Sequence, residues 1–220
     1  MTQPPMPQPP QPDATPEPDW LRWGRRLAAI AQTGLTFGSG VFDRERYAQI
    51  QAIAAQILAA GSGGDPVQLQ DLLAQDAGYA TPKVGVRAAV FQEGKILLIR
   101  ERADGRWCLP GGYVDVGDSP SQAVEREVRE ESGYRVRAVK LLALVDKRSH
   151  PFPPQLSHVH IYFFRCELVG GSPTLSNETD GVDFFPEDAL PPLSTGRVLP
   201  ALVHRMFEHY RDPLRPTDFD

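Results

Sequence analysis

The stretch from Leu109 to Tyr134, LPGGYVDVGDSPSQAVEREVREESGY, restricts what this chain can fold into more than any other. Its second half reads as a helix running from Ser119 to about Ser132. Glu127, Glu130 and Glu131 stand at i, i+3 and i+4, so their carboxylates leave one helix face. Val124 and Val128 occupy another face and supply a packing stripe. Three crowded carboxylates repel one another unless a hard divalent cation sits among them. Magnesium fits that need, because it takes oxygen ligands, keeps several waters and bridges carboxylates to phosphates. The preceding Leu109-Pro110-Gly111-Gly112 lets backbone approach a metal or phosphate closely, and a carbonyl there can add an oxygen ligand. Arg126 is placed to orient Glu127. The plain alternative is a charged, solvated helix face.

Strands are expected on both sides of this helix. Val84–Phe91 and Ile96–Arg100 read as a pair joined by a tight turn at Glu93-Gly94. Val136–Val145 and Val159–Leu168 are two more, and a closing helix is expected near Leu199–Tyr210. Strands around one central helix, with a late helix, predict an α/β sandwich with a mixed sheet.

Before residue 79 the pattern is helical. Asp19 is read as an N-cap ahead of Trp20, Leu21, Leu27, Ile30 and Ala31, with Gly34 ending the run. A second apolar stripe starts at Asp43, carries Tyr47, Ile50, Ile53, Ala54, Ile57 and Leu58, and ends at Gly61. A shorter helix spans Pro66 to about Ala77. Residues 19–78 thus form a small helical unit, residues 79–220 the α/β domain, and residues 1–18 a disordered tail. That tail holds eight of the 22 prolines and cannot form a helix or bury a core. The helical unit is short for an independent domain and has several apolar stripes, so a homodimer interface is expected there.

Charge and cysteine usage remove some functional classes. A net charge of −5 argues against a broad basic surface for nucleic acid, although a short RNA end could still enter a metal-lined cleft. No apolar run of about 18 residues exists, so no membrane span is expected. The N-terminus lacks a basic region followed by an apolar stretch, so no signal peptide is expected. Cys108 and Cys166 are the only cysteines, consistent with a reduced cytoplasm and with ordinary small apolar roles.

From Gly112 onward the stretch resembles the Nudix box, G-x5-E-x7-R-E-U-x-E-E-x-G-U, where U is apolar. Gly112, Arg126, Glu127, Val128, Glu130, Glu131, Gly133 and Tyr134 match, and Asp118 stands where the family usually has Glu. With the Gly-Gly loop, Arg126 and Gly133 in register, the solvated-face reading loses to the catalytic one. The resemblance implies a Nudix α/β/α sandwich and a magnesium-dependent pyrophosphatase, with manganese as an alternative ion. It assigns metal ligation to Glu127, Glu130, Glu131 and the Gly111 carbonyl, and the positioning of Glu127 to Arg126. The general base varies in the family between a box glutamate such as Glu127 or Glu130 and a later acidic residue, for which Glu178 is the candidate. A surface glutamate in a turn is the plain reading of Glu178.

The resemblance extends through residues 20–58 and the segment from Glu178 to Ser194. It is that of a subgroup that includes CDP-choline pyrophosphatases of Gram-positive bacteria, some of which also trim RNA from the 3′ end. It implies hydrolysis of CDP-choline to CMP and phosphocholine. The alternatives are RNA 3′-end trimming, a broader nucleotide-sugar or ADP-ribose pyrophosphatase, and a non-catalytic ligand-sensing module. The sensing reading is disfavoured because all three box glutamates are present. For substrate contact the candidates are Lys147, Arg148, Phe152 and His158 in the Lys147–His160 loop, with Arg100 and Trp107. A Pro-rich surface loop with incidental histidines is the plain reading there, and a His-based metal site the least favoured.

Overall fold

A computed structural model describes residues 17–220; most of the Pro-rich segment read as a tail lies outside the described residues. Three helices come first: α1 (Asp19–Phe37), α2 (Val41–Ser62) and α3 (Pro66–Ala74). The α/β part follows as β1 (Lys83–Gln92), β2 (Lys95–Glu101), β3 (Trp107–Cys108), α4 (Pro120–Ser132), β4 (Tyr134–Asp146), β5 (Val159–Gly171), β6 (Thr179–Phe185), α5 (Pro200–Arg211) and β7 (Asp218–Phe219). No helix among the described residues is long and apolar enough to cross a membrane.

β1 is apolar on both faces because helices cover both sides of it. Val86, Ala88 and Val90 pack with Ala123, Val124 and Val128 of α4. Ala89 and Phe91 face the other way, into a cluster that includes Leu202, Val203, Met206 and Phe207 of α5. Burying each such valine or leucine contributes about 1.5–3 kcal/mol, so the two clusters fix which sheet face each helix takes. The strand order is β3-β2-β1-β5-β4-β7, with β6 added to β2. β1 and β5 run parallel, whereas β4 and β5 run antiparallel, so the sheet is mixed, as expected. Glu93 and Gly94 both have positive φ, 50° and 77°, the pair of left-handed residues a two-residue hairpin requires. Cys108 and Cys166 are both buried and free, and burial raises both thiols, Cys166 to about 12, so neither is a reactive nucleophile.

Four helix boundaries differ from the sequence reading, two of them for one shared reason. Gly34 and Gly61 do not stop helices; they lie inside α1 and α2. A Cβ on Gly34 would fall 2.4 Å from the Tyr47 ring, and one on Gly61 would fall 1.9 Å from the Trp20 ring. These glycines let an aromatic ring of one helix lie against the backbone of the other. The stops are Gly38, whose N–H reaches the Gly34 carbonyl, and Gly63, in the left-handed conformation at φ 72°. Asp19 is the first helical residue, not the cap, which is Pro18. α3 ends at Ala74, short of Ala77. β6 was not anticipated; it forms because Val182 packs against both core clusters while its backbone pairs with β2.

Candidate active site

The carboxylate helix is anchored at both ends. Ser119 caps α4, its hydroxyl accepting from the Gln122 N–H while the Gln122 side chain accepts from the Ser119 N–H. This reciprocal box, followed by Pro120, satisfies amide donors that the first turn leaves open. Gly133 closes the helix in the left-handed region at φ 76°. With Ala123, Val124 and Val128 buried, the opposite face turns Glu127, Glu130 and Glu131 into a cleft of about 810 Å³.

The loop ahead of α4 is laid against β1 by hydrogen bonds. The Val86 N–H donates to the Gly112 carbonyl and the Ala88 N–H to the Pro110 carbonyl, both at 2.8 Å. Backbone packed this close leaves no room at Gly111: with φ 144°, an added Cβ would sit 2.0 Å from the Val86 carbonyl oxygen. Gly112 is small for another reason, because a Cβ there would reach the Glu127 carboxylate at 2.8 Å.

Each glutamate has its own environment. Glu131 is buried and accepts a 2.7 Å hydrogen bond from the Gly111 N–H. Burial pushes its pKa up to about 8, since one amide does not replace the water lost by a carboxylate. Burial also raises Glu127, against the pull of Arg126. Arg126 lies among four carboxylates: Asp115 at 3.2 Å, Asp118 at 3.2 Å, Glu127 at 2.9 Å and Glu130 at 3.2 Å. Burial works against its charge, but Asp118, Glu127 and Glu130 outweigh that and raise its pKa. The shorter Asp118 therefore still reaches the arginine.

Three cationic side chains, Arg87, Lys147 and Arg197, also line the cleft. Arg87 of β1 donates to the carbonyls of Leu109 and Gly111. Lys147 is buried, donating at 2.8 Å to both the Gln155 side chain and the Gly196 carbonyl, and burial lowers its pKa to about 8. Arg197 pairs with the buried Glu101 at 2.8 Å. Glu178 is exposed on the cleft lining beside Ser176 and Asn177. Its loop is tied to α4 through Thr179, whose hydroxyl donates to the Glu131 carbonyl at 2.8 Å.

Of the candidate residues, Gly111, Arg126, Glu127, Glu130, Glu131, Glu178 and Lys147 line this cleft, and five do not. Phe152 is buried beneath Lys147, whose ammonium lies 4.8 Å from its ring centre; it supports the lysine from below. Trp107 packs edge-on against Phe185, and Arg100 lies over that indole while paired with Asp180 at 2.7 Å. Arg148 and His158 both turn to Asp146. These side chains are engaged elsewhere, so sequence proximity to the cleft did not bring them into it. The sequence reading missed Arg87, Glu101, Gln155 and Arg197. Arg87 had a usable signal: a lone charge in the otherwise apolar run Val84 to Val90 must have a polar destination.

The donor set fits a hard divalent cation. Three carboxylates and a backbone carbonyl supply oxygen ligands alone, and Glu131 is a buried carboxylate with a single described hydrogen-bond partner. Residues 81–206 match the NUDIX domain. The chain belongs to the Nudix family of pyrophosphatases. Residues 18–73 match a second family, the UDP-X-like N-terminal oligomerisation domain. YjhB of Bacillus subtilis (strain 168) is 43% identical over 91% of this chain and 97% of its own length. A crystal structure of a UDP-X diphosphatase is 32% identical over 92% of this chain and 98% of that one, with a TM-score of 0.61. An ADP-ribose pyrophosphatase from Streptococcus suis 89-1591 is 38% identical, covers 64% of this Nudix chain and 100% of its own, and has a TM-score of 0.57.

Proposed function

We propose that this Nudix protein hydrolyses the phosphoanhydride bond of a nucleoside diphosphate joined to a second group, releasing two monophosphates. The observation that carries the reading is the cleft itself, in which the α4 carboxylates share one lining with Arg87, Lys147 and Arg197. Glu127, Glu130, Glu131 and the Gly111 carbonyl would hold magnesium, or manganese in its place. When bound, such an ion neutralises diphosphate charge and lowers the pKa of a water. Arg126 holds Glu127 and Glu130 in register. Arg87, Lys147 and Arg197 bind the non-bridging phosphate oxygens. Glu178, on a loop fixed to α4 by Thr179, accepts the proton of the attacking water.

Within this class, UDP-linked compounds and ADP-ribose are favoured by the relatives just described. CDP-choline, expected from the subgroup resemblance, is a second reading, and Tyr113 in the cleft lining is the ring available to a quaternary ammonium. The α1–α2 unit exposes Trp23, Ile30, Phe37, Val41 and Phe42, an apolar surface that a homodimer would cover. A magnesium-dependent screen over UDP-sugars, ADP-ribose, CDP-choline, nucleoside triphosphates and short RNA tests the proposal. It expects diphosphate-linked nucleosides to exceed triphosphates and RNA by about tenfold in kcat/KM, or about 1.4 kcal/mol. Preference for RNA would overturn the substrate class, and no turnover of any compound would favour a sensing module.

A further inference from the structure

Outside the cleft, the end of β4 and the start of β5 gather a second set of metal-ligating side chains. Asp146 and His160 are cross-strand partners in the β4–β5 ladder, so their side chains leave the same sheet face. His158, two residues before His160, shares that side by the period-two rule. One ligand atom from each of the three lies within 4.8 Å of the others. His158 Nε2 is 3.1 Å from Asp146 Oδ1, and the two imidazole rings are 4.9 Å apart, edge to face.

We propose that Asp146, His158 and His160 form a binding site for one divalent transition-metal cation of the zinc type, separate from the carboxylate helix. Two imidazoles and one carboxylate suit zinc, whereas magnesium prefers oxygen alone. Zinc bonds of about 2.0–2.1 Å at tetrahedral angles hold ligand atoms roughly 3.3 Å apart, close to the observed His158–Asp146 separation. Strand backbone supports two of the ligands, which limits the reorganisation binding requires. Moving the His158 ring proton to Nδ1 frees Nε2 for a cation.

A hydrogen-bond knot accounts for only part of this arrangement. Asp146 Oδ1 accepts from the Arg148 N–H at 2.9 Å, and the Arg148 guanidinium holds Oδ2 at 2.9 Å. That network uses Asp146 and His158 and gives His160 no part. Arg148 opposes a nearby cation, yet its side chain is 45% exposed and can turn to water. Asp220 offsets the arginine: it accepts from the Asp146 N–H at 2.6 Å and faces His150 at 2.9 Å, adding a second negative charge. A cation here would tie the end of β4 to the start of β5, with water completing its coordination.

The test is a calorimetric titration of zinc chloride into the full-length protein with magnesium in excess. One equivalent should bind. His160→Asn should weaken binding at least about tenfold, Glu131→Gln should leave it intact, and zinc should raise the Tm of wild type but not of His160→Asn. If His160→Asn fails to fold, His158→Gln carries the same comparison. Cobalt(II) added to the unaltered protein should shift the ring-proton resonances of two histidines. Absence of zinc binding under excess magnesium, equal affinity in the variants, or no histidine shifted by cobalt would overturn the site.

Discussion

Adjacent glycines in the Gly111-Gly112 loop should fail in different ways when replaced by alanine. At Gly112 the new Cβ meets the Glu127 carboxylate at 2.8 Å, where comfortable contacts begin near 3.5 Å. The carboxylate must retreat by roughly 0.7 Å. Misplacement of that order costs about 10–100-fold when the group positions a reacting centre, or about 1.4–2.7 kcal/mol in the barrier. The retreating atoms are the free end of a flexible side chain, so the fold should barely notice, and Tm should stay within about 2 °C. At Gly111 the obstacle is backbone: a φ of 144° and a Val86 carbonyl at 2.0 Å. Strain of about 1–3 kcal/mol and overpacking of about 1–3 kcal/mol add to a Tm loss of about 4–24 °C at about 2–4 °C per kcal/mol. Steady-state hydrolysis with magnesium and thermal unfolding, run on both variants, separate the two effects. Unchanged kcat in Gly112→Ala, or a rate loss matched by a large fall in Tm, would refute the claim that this glycine exists to make room for Glu127.

Glu131→Gln should lower turnover by about 100-fold or more. With metal chelated, a Glu131 pKa raised to about 8 from 4.5 means the folded state binds the extra proton, so wild-type stability falls as pH rises between those values; the variant's Tm should lack that decline, and an identical pH profile would contradict the assignment. Gly61→Ala should lower Tm by several degrees although alanine favours a helix by about 1 kcal/mol, because its Cβ would lie 1.9 Å from the Trp20 ring; a rise in Tm would show that the two helices do not depend on this contact. Lys147 loses its charge as pH passes about 8, so KM should climb above that pH, and Lys147→Met should abolish the inflection; an inflection that persists would assign it to another group.

The parts of this protein legible in the sequence are those set by local periodicity. The i, i+3, i+4 glutamates, the Ser119 and Gly133 ends of α4 and the apolar strands β1 and β2 each follow from neighbours a few residues apart. What sequence hid depends on distant partners. Gly34 and Gly61 look like helix stops until Tyr47 and Trp20 are seen against them. Phe152 and Trp107 look like ligand platforms until the core claims them. Arg197 enters the cleft by pairing with the buried Glu101, almost a hundred positions away in sequence. The β6 strand depends on β2 for its hydrogen bonds and on both clusters for its burial, so its own residues announce it weakly.

Central to the account is a bond, the phosphoanhydride, broken at the α4 carboxylates by water. The direct measurement is mass spectrometry of the products formed from ADP-ribose or a UDP-sugar in heavy-oxygen water with magnesium. A nucleoside monophosphate and a sugar phosphate are expected, with one heavy oxygen on one of the two, and both should form about 100-fold more slowly in Glu131→Gln. Inorganic phosphate or an intact nucleoside diphosphate as the product, or an undiminished rate in Glu131→Gln, would contradict the account.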